Sequence, residues 1–493
     1  MNVNPITRLD YPDPDVIRVE DTYYMVSTTM HFMPGCEILQ SFDLVHWEHV
    51  TYVYETLDHT DAQQLKSGQN IYGQGMWAAF LRYHEGRFCI CFVANDTRKT
   101  YLYTSEKIDG PWKKQLIEGF YHDGSLLFDE DGRNYIVYGN DEIWITELNE
   151  DLTAPKKDGL HRLLVSDHKN PELGYEGSHI QKINGYYYIF LVHSLRDRWM
   201  RTEACFYSDS LEGEFTGGDV LCDDRGYCGQ GVAQGGIVDT PDGKWYAMLF
   251  QDSGAVGRLP ILLPVTWKDH FPFFGQNGHV PEEIEVHSTR PGYIYQPLVG
   301  SDDFCNGLLP RWQFNHDPDP RYYHLDALQG TYTITTREVC TELTQAVNTL
   351  TQRMSYPSCA AEVTVDASAL KEGDVAGLCA LQSCYAAVGI TKHHGKYEVL
   401  MLDKKEDGIL DMTEGTVVES HQMDFRLEAD FCNMKDEARC YYRVNKGDWL
   451  PIGTVHKLYF KLDHFTGCRF GLFCYAAEET GGSACFRDFK YYG

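Results

Sequence analysis

The feature that most constrains this 493-residue chain is a motif that occurs five times between residues 20 and 251. Each copy is a short polar turn followed by a run of strand-forming residues. Asp-Gly and Asn-Gly between apolar runs are strong hairpin signals, because their backbone adopts positive φ readily. The turns lie at 20–24, 85–88, 131–135, 184–188 and 242–246. Repeated strands and turns at this spacing predict an all-β fold that begins with a five-bladed β-propeller, over residues 1–297. The alternative is a β-sandwich with similar hairpins.

A second pattern lies eight or nine residues before each turn. The residues at these five positions are Asp13, Trp77, Asp123, Glu176 and Gln234. In a propeller the innermost strands surround a central channel, so equivalent positions are expected to converge there. Three carboxylates at one axis repel each other, and such an arrangement indicates a functional site. Taken singly, each of the three carboxylates is better explained as an ordinary polar turn or loop residue, and only their joint occurrence at one repeated offset favours a site.

Carboxylates around a neutral pocket suit the hydrolysis of a glycosidic bond. One carboxyl group must be protonated to donate to the leaving oxygen, and another must be ionised to activate water. A third carboxylate disfavours ionisation of the donor. An aromatic such as Trp77 can form an apolar wall against a sugar. Arg258, just after the fifth repeat, could hold sugar hydroxyls, or it could be a surface arginine.

Charge and apolar patterning narrow the classes of partner. The chain has 43 Lys and Arg against 72 Asp and Glu, a net charge of −29, which disfavours nucleic acid and anionic membranes as partners. No apolar run approaches the ~20 residues that span a bilayer. The sequence shows no secretory signal, and its 16 cysteines are irregularly spaced. These features predict reduced thiols and a cytoplasmic protein, with a secreted, disulfide-bonded protein as the alternative.

A different pattern begins near residue 298. Short alternating strands with Gly and Asp turns predict a concanavalin-like β-sandwich, or jelly roll, over residues 298–493. The expected role is structural, packing on the propeller and closing one side of the pocket, with carbohydrate binding as an alternative. Asp303 and Asp488 could share a structural calcium ion, or they could be surface aspartates.

Several motifs, taken in order, resemble glycoside hydrolase family 43. They are Tyr-Pro-Asp-Pro-Asp at 11–15, Ser-Phe-Asp-Leu-Val-His-Trp at 41–47, Gly-Met-Trp-Ala at 75–78, Asp-Gly-Ser-Leu at 123–126, Glu-Gly-Ser-His at 176–179 and Gly-Arg at 257–258. That family contains inverting β-xylosidases, α-L-arabinofuranosidases and endo-arabinanases on five-bladed propellers. The second half of the chain looks like the sandwich domain that follows the propeller in exo-acting members.

The resemblance implies a role for each site residue. Asp13 would be the general base, Glu176 the general acid, and Asp123 the group that tunes and positions the acid. Arg258 would bind the non-reducing sugar, with Trp77 and Phe32 as pocket walls and Gln234 as a further substrate-binding residue. Gln234 stands where many members have a histidine that lies near a calcium ion, so a central calcium is not expected and no required cofactor or catalytic metal is predicted.

The predicted function is therefore an inverting exo-hydrolase. It would release terminal α-L-arabinofuranosyl or β-D-xylosyl residues from hemicellulose-derived oligosaccharides. The alternatives are a catalytically silent carbohydrate-binding propeller and an endo-arabinanase. A retaining fructosidase-like propeller is disfavoured because its Asn-Asp-Pro-Asn and Arg-Asp-Pro signatures are absent from the sequence. Assembly into a homo-oligomer is left open.

Overall fold

Five four-stranded antiparallel sheets follow one another along the first part of the chain. The structure is a computed structural model that describes residues 3–413 and 415–493. Blade 1 has the strand order β1-β2-β4-β5, and the other four blades pair their strands in chain order. The strands of blades 1 and 2 are β1 (Asp15–Val19), β2 (Thr22–Val26), β4 (Gly35–Ser41), β5 (Glu48–Tyr54), β6 (Met76–His84), β7 (Arg87–Ala94), β8 (Lys99–Ser105) and β9 (Lys113–Ile117). Between β2 and β4 lies β3, a strand of two residues (Phe32–Met33).

The same arrangement continues through the remaining three blades. Their strands are β10 (Ser125–Phe128), β11 (Asn134–Asn140), β12 (Glu142–Leu148), β13 (His161–Ser166), β14 (Glu176–Ile183), β15 (Tyr186–Ser194), β16 (Arg201–Ser208), β17 (Thr216–Leu221), β18 (Val232–Asp239), β19 (Trp245–Asp252), β20 (Arg258–Lys268) and β21 (Phe271–Phe274). The five-bladed propeller predicted from the repeat is confirmed.

The turns that define the repeat are hairpins between the first and second strands of each blade. Gly86, Gly132, Gly185 and Gly243 have φ between 78° and 85°, where a Cβ atom would be strained. In the first blade Glu20 takes the positive φ, 55°, instead of a glycine. Because the turns fix the register, equivalent residues before each first strand arrive at the same end of the channel.

The ring of blades closes through both backbone and side-chain contacts. Arg18 on β1 donates from Nε to Asp239 Oδ1 on β18 at 3.1 Å. The segment before β1 runs along blade 5, where Asn4 and Leu262 exchange two hydrogen bonds of 2.7 and 2.8 Å. These contacts tie the start of the propeller to its last blade.

The second part of the chain forms a two-sheet sandwich. One sheet has the order β3-β22-β25-β35-β27-β28-β29-β30, with β31 also paired to β29, and the other has the order β23-β24-β36-β26-β32-β33-β34. The strands are β22 (Gln313–Asn315), β23 (Tyr323–Asp326), β24 (Thr331–Thr335), β25 (Leu350–Arg353), β26 (Ser358–Asp366), β27 (Asp374–Leu381), β28 (Ala386–His393), β29 (Lys396–Lys404), β30 (Leu410–Met412), β31 (Thr416–Val418), β32 (Gln422–Asp430), β33 (Glu437–Val444), β34 (Leu450–Lys457), β35 (Arg469–Ala476) and β36 (Ser483–Tyr492). The predicted concanavalin-like architecture is confirmed.

Propeller and sandwich are joined by a continuous interface. β3 leaves blade 1 and pairs with β22, so a propeller segment forms the edge strand of a sandwich sheet. Arg353 of the sandwich forms a 2.8 Å ion pair with Glu37 of the propeller, and both side chains are buried. Ala255, Val256 and Leu259 of blade 5 belong to the same apolar core as the sandwich. Loops of the sandwich are thereby held against the channel mouth.

Helical structure is limited to short 3₁₀ turns in the described residues. These turns lie at Lys66–Gly68, Gly254–Val256, Leu343–Gln345 and Cys432–Met434, and no helix of the described chain has the length and apolarity to cross a bilayer. All 16 cysteines are free thiols. Burial raises the pKa of several of them, such as the Cys91 thiol to about 12.

Candidate active site

The five repeated positions lie where the first strand of each blade begins. Asp13 and Asp123 have φ of 52° and 49° and precede β1 and β10, and Gln234 has φ of 64° on β18. Bulges interrupt the first strands of the other blades near Trp77, Glu176 and Gln234. A positive φ or a bulge rotates a side chain away from the regular alternation of a strand. The carboxylates therefore point to the channel mouth instead of into a blade.

Asp13 is fixed by two buried partners. Arg258 Nη1 donates to Asp13 Oδ1 at 3.0 Å, and Thr28 Oγ1 donates to Oδ2. Asp13 is 7% exposed and Arg258 is 2% exposed. A charge-assisted hydrogen bond of this kind fixes the geometry of both side chains. Asp13 is thus held in one orientation.

Asp123 and Glu176 are linked through the backbone. Asp123 Oδ2 accepts a hydrogen bond from the Gly177 N–H at 2.9 Å, and its carbonyl accepts one from Ser178 Oγ at 2.8 Å. Asn140, at the end of β11, donates from Nδ2 to Glu176 Oε2 at 2.7 Å. Asp123 therefore positions the strand segment that carries Glu176, and Asn140 fixes one of the two Glu176 oxygens.

The charges of these groups act on one another. Burial raises the pKa of Asp123, and the negative charges of Glu176 and Asp13 raise it further, against the opposing effect of His122. His122 Nε2 lies 3.6 Å from both Asp123 Oδ2 and Glu176 Oε2. Burial lowers the pKa of His122, but the three carboxylates outweigh burial and raise it to about 9. The mutual influence of Asp13, Asp123 and Glu176 identifies them as one cluster.

A second layer of polar residues fills the channel below this cluster. Asp15, Ser125 and His179 follow Asp13, Asp123 and Glu176 by two or three residues. Arg82 donates to Asp15 at 2.8 Å and to Ser125 at 2.6 Å, and His179 Nδ1 lies 3.0 Å from Asp15. Although burial raises the pKa of Asp15, Arg82 and His179 lower it below the usual value. These hydrogen-bonded side chains lie beneath the carboxylate cluster.

The sandwich supplies one wall. Phe465, in the loop before β35, lies with its ring 5.3 Å from that of Trp77 and 4.3 Å from the Arg258 guanidinium. Asp10 anchors this loop, because its carboxylate accepts the Arg258 N–H and the Gly467 N–H, each at 2.7 Å. One buried propeller residue therefore holds both a pocket arginine and the sandwich loop beside it.

Most of the predicted site residues meet at the channel mouth. Trp77 continues the wall from Phe465 to His122, whose ring centroid is 5.8 Å away. The Gln234 side chain packs against Gly177, where an added Cβ would lie 2.8 Å from Gln234 Cγ. With Asp13, Asp123, Glu176 and Arg258, these residues surround one site.

Phe32 packs mainly against the sandwich, and its role as a pocket wall stays a prediction. It is 2% exposed and lies on β3, which pairs with the sandwich. The Arg469 guanidinium stacks 3.4 Å from the centroid of its ring, and Phe32 belongs to a core cluster with sandwich residues. Because β3 leaves its blade, Phe32 packs in the domain interface.

Other residues of the site carried little signal in the sequence. His122 could have been suspected because it adjoins Asp123, and Asp10 because it precedes the first motif, whereas Asn140 adjoins none of the repeated positions. Arg201 pairs with Asp252 at 2.9 Å, and its guanidinium lies over the Phe250 ring, which Arg258 also contacts. Phe465 lies more than 200 residues from every other pocket residue in the chain, and no repeat marks it.

The arrangement of ligand atoms bears on metal binding. His122, Asp123 and Glu176 each offer one such atom, and these atoms lie within 4.8 Å of one another. The neighbouring carboxylates raise the pKa of His122, so a metal ion bound here would have to displace the ring proton. That no catalytic metal is required stays a prediction. Asp303 and Asp488 lie near the Asp302–Phe489 bridge at the sandwich edge, and calcium there stays a prediction.

Comparison with protein families gives two matches that cover most of the chain. Residues 3–272 match the model described as glycosyl hydrolases family 43, and residues 301–492 match that of the beta xylosidase C-terminal concanavalin A-like domain.

Individual relatives agree with these matches. A beta-xylosidase of Formosa agariphila is 26% identical over 97% of this chain and 88% of its own length. A xylosidase/arabinosidase of Humicola insolens is 25% identical over 99% of this chain and 96% of its own. A solved structure of a bifunctional protein of Bacteroides eggerthii is 42% identical, with a TM-score of 0.92. That alignment covers 99% of this chain but 63% of the longer protein.

Proposed function

This chain belongs to glycosyl hydrolase family 43 and is a glycosidase, and we propose that it removes single terminal pentosyl groups with inversion of configuration. The groups are α-L-arabinofuranosyl or β-D-xylosyl residues at the non-reducing ends of hemicellulose-derived oligosaccharides. In this proposal Asp13 is the general base, Glu176 the general acid and Asp123 the residue that positions and tunes the acid.

The convergence of the three carboxylates, each with different partners, carries this proposal. Asp13 is ion-paired and buried, which suits a permanently charged base. Glu176 is partly exposed and is held through Oε2 by Asn140. This leaves Oε1 to carry the proton that the leaving group needs.

The reaction follows from these assignments. A water molecule held by Asp13 attacks the anomeric carbon, and the new C–O bond forms as Asp13 accepts the water proton. The glycosidic C–O bond breaks with its electron pair on the leaving oxygen, which takes the proton from Glu176. Attack from the face opposite the leaving group inverts the anomeric centre.

The closed side of the pocket favours exo action. Phe465 and Trp77 line the wall, and Arg258 lies beneath Phe465. A chain end fits such a pocket, whereas an endo-arabinanase needs a cleft that is open at both ends. The family relatives named as xylosidases and arabinosidases support a pentosyl substrate for this chain. Sequence features around Gln234 and Arg258 lean toward arabinofuranosides.

Proton NMR of the first-formed sugar tests the proposal. We expect α-D-xylose from 4-nitrophenyl β-D-xyloside and β-L-arabinose from 4-nitrophenyl α-L-arabinofuranoside, before mutarotation. The ratio of the two rates would decide the preferred pentoside. Release of the sugar with the substrate's own anomeric configuration would exclude the inverting mechanism.

A further inference from the structure

His122 is a partly buried histidine in the site, and the roles assigned to the three carboxylates do not account for it. Its side chain is 19% exposed, and its ring lies beside Trp77. The Nε2 atom is buried and, within the described residues, has no hydrogen-bond partner at normal distance. It lies equally far, 3.6 Å, from Asp123 Oδ2 and Glu176 Oε2.

The charged groups around His122 have one sign. The carboxylates that face it come from three elements: Asp123 before β10, Glu176 on β14 and Asp13 before β1. The charges of Asp123 and Asp13 favour the protonated ring, and Glu176 adds to this effect when it is ionised. His122 is therefore a cation placed between the proposed acid and the residue that tunes it.

We propose that His122 is a positioning residue for Glu176, whose imidazolium stabilises the carboxylate that Glu176 becomes as it protonates the leaving oxygen. This inference rests on the proposed function. Asn140 Nδ2 and His122 Nε2 both lie on the Oε2 side of Glu176. Their convergence assigns the transferable proton to Oε1, so that Oε1–H faces the scissile bond.

The effect of this cation grows during the reaction. Before proton transfer Glu176 is neutral, and the imidazolium is compensated mainly by Asp123. As the Oε1 proton moves to the leaving oxygen, negative charge develops on Glu176 and pairs with the imidazolium. An interaction that is stronger in the transition state than in the ground state accelerates the chemical step.

The pH profile distinguishes this role from a structural one. A nearby cation makes the Glu176 proton easier to lose, so its removal makes that proton harder to lose. The basic limb of kcat/KM, which reports the essential acid of the free enzyme, should then move to higher pH. A residue that only supports the fold would lower activity without moving that limb.

The experiment compares His122→Gln, His122→Lys and wild type between pH 5 and pH 10. For His122→Gln we expect kcat on xylobiose and on an arabinofuranosyl-xylooligosaccharide to fall about 10- to 100-fold. The basic limb should move up by about one pH unit, and 2,4-dinitrophenyl xyloside should be affected least. His122→Lys should return the limb toward its wild-type position, and His287→Gln, on an exposed histidine, should match wild type.

Two results would overturn the proposal. One is a basic limb that stays in place in His122→Gln while activity falls. The other is an NMR titration of the His122 ring in the wild-type protein with a midpoint at or below 6.5, a measurement that needs no folded variant. Failure of the proposed function is separate, because it would appear as retention of configuration or as equal losses of Glu176→Gln on all leaving groups.

Discussion

The two sides of the pocket are built differently. On the base side, Asp13 is buried with Arg258, and Asp10 ties that arginine to the sandwich. On the acid side, Glu176 is partly exposed, its hydrogen-bond partner Asn140 is exposed, and His122 and Asp123 both have raised pKa values. The base side holds one ion-paired carboxylate in buried surroundings, whereas the acid side contains several titratable groups close together.

This difference matches what an inverting hydrolase needs. A general base must be ionised in every cycle, and a buried ion pair with a second anchor provides that state. A general acid must lose and regain a proton, which requires contact with solvent and neighbours whose charges balance. The base side depends on the domain interface, whereas the acid side is built within blades 3 and 4.

The largest effect should come from the acid side. In Glu176→Gln the side chain keeps its shape but has no proton to donate, so we expect kcat on xylobiose to fall about 10²- to 10⁴-fold. Activity on 2,4-dinitrophenyl xyloside should fall far less, because that leaving group needs no proton. Steady-state kinetics on the two substrates measure the contrast.

The matched control is Glu172→Gln, an exposed glutamate four residues earlier, in the loop before β14. It should retain wild-type rates on both substrates. Equal losses on the two substrates in Glu176→Gln would remove this residue from the acid role and would break the contrast between the two sides.

A smaller effect should come from the anchor of the base side. In Asp10→Asn the single side-chain oxygen can accept only one of the two N–H groups, those of Arg258 and Gly467, that the carboxylate accepts. The other N–H then faces the NH₂ group of the asparagine. A buried unsatisfied donor costs about 1–3 kcal/mol, so kcat/KM should fall about 10- to 100-fold if this energy is lost from the transition state. The loss of kcat/KM should be similar for good and poor leaving groups, because the substitution leaves proton donation by Glu176 unchanged.

Asp131→Asn, at an exposed turn of blade 3, is the control for Asp10→Asn and should behave as wild type. A loss in Asp10→Asn that depended on the leaving group would mean that the two sides are not independent.

The smallest effect is expected from the sandwich wall. Phe465→Ala removes a ring that touches Trp77 and Arg258 but leaves all three carboxylates in place. We expect KM for short oligosaccharides to rise about 3- to 10-fold, corresponding to about 1 kcal/mol of lost apolar contact, with kcat changed little. Initial-rate kinetics separate the two parameters.

Phe273→Ala, at a half-exposed aromatic of blade 5, provides the comparison for Phe465→Ala. A drop in kcat with unchanged KM would show that the sandwich affects the chemical step. The base side and the acid side would then not be independent of each other.

The repeated turns made the propeller predictable, because hairpin chemistry is local and five copies reinforce one another. The same periodicity led to Asp13, Trp77, Asp123, Glu176 and Gln234, which the structure brings to one end of the channel. The partners of Phe32 could not be predicted in this way. Its neighbourhood resembles a blade loop, and no local signal shows that β3 leaves blade 1 to join the sandwich.

The strand–turn repeat, the all-β class and the carboxylates at the repeated positions could be predicted from the residues alone, since each depends on short stretches of the chain. The partners that those carboxylates meet followed only from the folded arrangement of the two domains. Asp10 and Gly467 are 457 positions apart, and Arg258 and Phe465 are 207 apart. Contacts of that kind depend on how two domains dock, and side-chain packing across an interface leaves no periodic trace in the chain.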